Sequence, residues 1–196
     1  MKFNPKILAE SLIPILGYVF WEWSIHFVVM FCILDMLAKE ILFHLKVKKI
    51  LETQGTSKKT HIRKAKMVSV FIFISSIVLS ELLAFIIVED YSFTNEAYAF
   101  WMLEDTGLPQ GYFLLPLLLL MVWMDYKLTF LKFKLHMKMN LMLFAEDHVR
   151  NNAAFLMTLA LLTMSNAIFL LNDWLMLGAI ILGPLALYTY FKKNKK

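Results

Sequence analysis

All 20 Lys and Arg residues of this chain can be placed toward one side of six apolar segments, and this asymmetry constrains the fold more than any other feature. The segments lie at about 6–21, 24–46, 67–88, 111–131, 152–172 and 174–191, and the first, third and fifth connections between them contain no Lys or Arg. Positive charge flanking short loops is retained on the cytoplasmic side of a membrane. The pattern therefore predicts an all-α polytopic membrane bundle of six transmembrane helices, one integral domain over residues 1–196, with both termini cytoplasmic. A bacterial cytoplasmic (inner) membrane is the simplest compartment that fits.

Composition excludes the ordinary soluble classes. The chain is 60% hydrophobic, 18% charged and has a mean hydropathy of +0.64, too apolar for a typical aqueous domain. Its net charge of +5 would suit nucleic acid in a soluble protein. Here topology and contact with anionic lipid account for it, and no nucleic-acid partner is expected. The lone Cys32 sits inside an apolar run, so no intrachain disulfide is available.

The first segment is short. Asn4-Pro5 offers a cap followed by proline in the first turn, and the 16 residues from Pro5 to Phe20 reach only about 24 Å. Pro14 is a potential kink. Glu10, Pro14 and the bulky Tyr18-Val19-Phe20-Trp21 run argue against a cleavable signal peptide. Trp21-Glu22-Trp23-Ser24 reads as a tight external turn in the aromatic belt. The second segment, interrupted by Asp35, Lys39 and Glu40, is expected to continue into the cytoplasm to about Glu52 and to stop at Gly55. Residues 46–66 carry eight basic residues against one acid, the strongest topological anchor.

The largest external stretch, 89–110, has five acids (Glu89, Asp90, Glu96, Glu104, Asp105) and no basic residue. Its apolar middle, 97–103, predicts a short interfacial helix. Residues 132–139 alternate Lys and His with apolar residues, a strand-like period. Snorkelling lysines at a membrane surface produce the same spacing, so a strand is not expected. Asn172-Asp173 forms the last tight turn, and no internal repeat is visible.

Ionisable groups at membrane depth are the functional candidates. Counting about 1.5 Å per residue puts Asp35, Lys39 and Asp125 toward the inside, and Glu81 and Asn166 at a common outer level. Ser76, Ser80, Thr163 and Ser165 would thicken that outer layer. One reading joins these residues into a polar route for protons or cations. The other makes Asp35–Lys39 a neutralising pair and Glu81–Asn166 an interhelical hydrogen bond. Glu10 and Glu40 read as interfacial acids beside lysines. His26, His44, His61, His136 and His148 show neither metal-type spacing nor matched depths, so no metal, haem or other cofactor is expected.

No nucleophile elbow, zincin helix, P-loop or dinucleotide fingerprint is present, which leans away from an enzyme. The expectation is a small accessory or structural subunit that docks with other membrane proteins or with copies of itself in the bilayer. The alternative is a small proton- or cation-coupled transporter or channel using the intramembrane carboxylates.

Overall fold

The computed structural model describes residues 5–55, 59–88, 90–102 and 110–193 and is all-helical over them. The order is α1 Pro5–Phe20, α2 Ile25–Gln54, α3 Lys59–Ile87, α4 Phe93–Met102, α5 Gln110–Met124, a π-helical stretch Asp125–Leu131, α6 Leu135–Lys138, α7 Leu141–Ile168 and α8 Asp173–Lys193.

Local sequence explains most of the boundaries. Ser24 caps α2 by accepting from the Phe27 amide at 3.1 Å. α2 runs to Gln54 and ends at Gly55, whose φ of 88° is the left-handed region that glycine enters without steric cost. Asn140 caps α7 through Oδ1, 3.0 Å from the Met142 amide. Residues 132–139 form turns and the short α6, with no strand. The Lys132 amide reaches back five residues to the Lys127 carbonyl, and Lys134 then turns at φ 52°. The expected cap Asn4, the end of the 97–103 helix at Leu103 and the acids Glu89, Glu104 and Asp105 lie outside the described residues.

Hairpin contacts hold the ends of α1, α2 and α8 together. The Gly17 carbonyl accepts from both the Trp21 and Trp23 amides, at 3.0 and 3.1 Å. The Trp23 ring lies so close over Gly17 that a Cβ there would fall 2.2 Å from ring carbon Cε3. Tyr18 meets Trp174 edge-to-face at 5.0 Å, tying α1 to the start of α8. From α4, Phe100 packs at 4.6 Å from Phe27.

α3 packs along α7, and α7 along α8. Helix surfaces are arranged opposite to those of a water-soluble bundle. On α3, Phe71, Ile74, Val78, Leu82 and Phe85 form an exposed apolar stripe, while Ser69, Ser76 and Ser80 are buried. On α7, Met157, Leu161, Met164 and Ile168 are exposed, whereas Asn152, Thr158, Thr163 and Asn166 face inward. Among the described residues two helices, Thr60–Ile87 and Asp173–Lys193, are long and apolar enough to cross a membrane.

The buried apolar residues fall into two clusters. One includes Phe27, Phe31, Leu34, Leu83, Leu159 and Met176. The other gathers Phe43, Val47, Ile50, Ile62, Phe130 and Leu141 at the opposite end of α2. Between Ala38 of the first and Phe43 of the second sits Glu40.

Candidate functional site

Glu40 is 6% exposed and forms the centre of a polar clasp joining α2, α3 and α7. Its Oε2 accepts from Ser69 Oγ at 2.6 Å and from His148 Nε2 at 2.7 Å. Asn152, one turn beyond His148 and 1% exposed, donates to Glu40 Oε2 at 3.3 Å and to Ser69 Oγ at 3.1 Å. Phe43 stacks on the His148 ring at 4.1 Å with 12° between planes, so the imidazole is held flat as well as hydrogen-bonded. The second carboxylate oxygen, Oε1, is buried without a hydrogen bond among the described residues. His44 Nδ1 lies 3.4 Å away while also 3.0 Å from the Glu40 carbonyl.

Burying a carboxylate in an apolar bundle is costly unless charge and hydrogen bonds compensate it. His148, Ser69 and Asn152 supply that compensation. The sequence suggests Glu40 as an interfacial acid beside Lys39 and gives His148 no metal-type spacing; the structure buries Glu40 and brings His148 to it. The available signal was His148 and Asn152 four residues apart at the head of an apolar run, a spacing that puts both on one helix face.

Beside the clasp, α1, α2, α7 and α8 enclose a cavity of about 430 Å³. Asp35, Lys39, Asp147, His148 and Tyr188 line it, with Cys32 and Pro14 on its apolar wall. Lys39 Nζ lies 2.6 Å from Asp35 Oδ2, and the Tyr188 hydroxyl donates to Asp147 Oδ1 at 2.6 Å. His148 and Asn152 form the wall shared by cavity and clasp.

The other candidates occupy separate places. Asp125, at the start of the π-helical stretch, pairs with Lys46 at 2.5 Å and does not line the cavity that holds Asp35 and Lys39. Lys46 also sits 5.5 Å from the Phe130 ring centre. Glu81 accepts a hydrogen bond from the Tyr91 hydroxyl. Burial, then the bond to Glu81 and the nearby charges of Glu81 and Glu96, push the Tyr91 hydroxyl well above its ordinary 10.0.

Asn166 turns to its own segment, donating to the Leu162 carbonyl at 3.0 Å and accepting from the Leu171 amide at 3.2 Å. Ser76, Ser80 and Thr163 likewise bond carbonyls of their own helices. Glu96 meets His26 Nδ1 at 3.2 Å, and Asp90 is an exposed turn residue at φ 55°. Among the described residues no three His, Cys, Asp or Glu side chains converge as metal ligands.

No family model, curated protein or solved structure matches this chain.

Proposed function

We propose that the chain is a six-span integral protein of a bacterial inner membrane, with both termini cytoplasmic, that acts as a small structural or accessory subunit docking onto other membrane proteins. One observation carries this reading. The three acids that a shared transport route would need are each engaged in a different place: Asp35 with Lys39, Asp125 with Lys46, and Glu81 with Tyr91. Acids paired locally hold helices together, whereas a route requires them to face one hydrated space.

The inverted surfaces of α3 and α7 support six spans, because apolar stripes facing outward are stable against lipid tails and costly in water. The π-helical stretch extends the 15 residues of α5 by a further 7, to the length a bilayer requires. α5 also offers a docking face. Leu118 and Val122 are buried, whereas Leu117, Leu119, Leu120, Met121 and Trp123 are exposed.

Gentle extraction from the native membrane, followed by mass spectrometry of the intact assembly, tests the subunit reading. A partner or a second copy in fixed stoichiometry supports it, and a monomer that survives mild extraction alone sinks it. Reporter fusions test the topology, with position 96 expected outside and position 64 inside.

A second reading, a small proton- or cation-coupled carrier, is favoured by the cavity that Asp35, Lys39, Asp147 and His148 share. Cys32 is the chain's only cysteine and lines that cavity, which makes it a reporter of water entry. Modification of Cys32 by a charged, water-soluble thiol reagent, together with cation or proton flux in liposomes, would favour the carrier. An unreactive Cys32 and silent liposomes would remove it.

A further inference from the structure

A groove of about 700 Å³ runs along the cytoplasmic part of α2 opposite α3. Its lining changes character along its length. Ile41 and Leu45 are exposed apolar residues one turn apart on α2. His44 lies between them, Lys48 follows one turn on, and Lys66 is added from α3. A second recess of about 460 Å³ shares Leu51 and Lys66 with the groove and adds Arg63.

The charges along this face do not cancel locally. Glu40 and Glu52 also line the groove, but Glu40 is held by His148 at 2.7 Å and Glu52 faces Lys49 at 3.5 Å. Among the described residues no ion pair engages Lys48, Arg63 or Lys66. Lys48 lies eight residues, about 12 Å of helix, from the Glu40 carboxylate. Lys66 lies nearer to Glu40, one turn from Ser69, where the bonds from Ser69 and His148 already occupy the carboxylate. An apolar track leading into uncompensated cations matches the order of acyl chain and phosphate in a lipid, and basic recesses at the inner surface bind anionic head groups.

We propose that this groove is a binding site for an anionic phospholipid of the inner leaflet, its phosphate held by Lys48 and Lys66 with Arg63 beside them and its acyl chain along Ile41 and Leu45. The inference rests on the membrane reading above, and fractionation tests that reading separately. Recovery of the protein from the soluble fraction without detergent would remove both. A membrane-extracted protein without lipid preference would remove this proposal alone.

The test is thermal unfolding and native mass spectrometry of the full-length protein in a neutral detergent, titrated with phosphatidylglycerol, phosphatidylcholine or inorganic phosphate. Phosphatidylglycerol is expected to bind and stabilise, with affinity falling roughly tenfold or more in the Lys48→Gln/Lys66→Gln variant. Lys48→Gln alone should give a smaller fall in the same direction if the double variant does not fold. Lys192→Gln/Lys193→Gln, at the other cytoplasmic end, should leave binding unchanged. Equal binding of the two lipids, or an unaffected double variant, would overturn the site. Inorganic phosphate matching phosphatidylglycerol at equal concentration would overturn the lipid as its occupant.

Discussion

His148 Nε2 and Glu40 Oε2 lie 2.7 Å apart although 108 positions separate them in the chain. The pair closes α7 against α2, with Ser69 bringing α3 to the same oxygen. Removing only the imidazole takes away one of the two shortest hydrogen bonds to a buried carboxylate oxygen, a loss of about 1–3 kcal/mol when a buried acceptor is left under-satisfied. His148→Ala should therefore destabilise more than Glu40→Gln, which removes the charge and keeps the shape. The double variant Glu40→Leu/His148→Phe should recover much of the loss. Unfolding in detergent ranks the three, and equal losses for the two single variants would show that a stranded carboxylate is not the cost of losing His148.

Crowding at Gly17 gives a second expectation. A Cβ would meet the Trp23 ring at 2.2 Å, and that ring is confined by Phe27 at 4.4 Å and Phe31 at 5.6 Å. Gly17→Ala should cost about 1–3 kcal/mol through overpacking. Gly178, in α8, has nothing within 4 Å of an added Cβ. There the same substitution should gain about 0.5–1 kcal/mol from helix propensity. Melting temperatures moving in the same direction for both would contradict this packing.

Gly55 separates backbone strain from packing. An added Cβ meets nothing within 4 Å, yet φ is +88°. Gly55→Ala should thus destabilise the end of α2 by about 1–3 kcal/mol, and Gly55→Asn by a similar amount, because a ψ of 178° lies outside the left-handed helical well that asparagine tolerates. Hydrogen exchange confined to the last turn of α2 reads this directly; unchanged protection in Gly55→Ala would count against the cap.

Tyr91 provides a pH signature at the turn before α4. Its hydroxyl ionises above the ordinary 10.0 in the folded state. The folded state therefore holds this proton more tightly than the unfolded one. The stabilisation is complete below pH 10.0 and is lost as pH rises through the folded value. Tyrosinate absorbance should show a late alkaline step that Tyr91→Phe removes and Glu81→Gln moves to lower pH. A step unmoved by Glu81→Gln would mean the carboxylate is not the cause.

Elements set by local chemistry were legible in the chain. The extension of α2 into the basic stretch and its end at Gly55 follow from helix periodicity and one glycine, and α4 from an apolar run among acids. The three-helix clasp was not. Counting residues gives a depth along each helix but no angle around it. Glu81 and Asn166 therefore came out at one level, although they turn to Tyr91 and to their own backbone. Asp125 was grouped with Asp35 for the same reason, whereas the π-helical stretch presents it to Lys46. Glu40 was read through its neighbour Lys39. Its true partners, Ser69 and His148, are distant in sequence, and only the packing of α3 along α7 brings them together.

The position of the clasp between two apolar clusters has a mechanical consequence. Each cluster gathers its own buried side chains, and the bonds from Glu40 to Ser69, His148 and Asn152 tie α2, α3 and α7 together between them. Loosening Phe130 or Ile50 should leave the packing around Leu83 and Leu159 largely undisturbed. Hydrogen exchange would then show the two ends opening with different free energies.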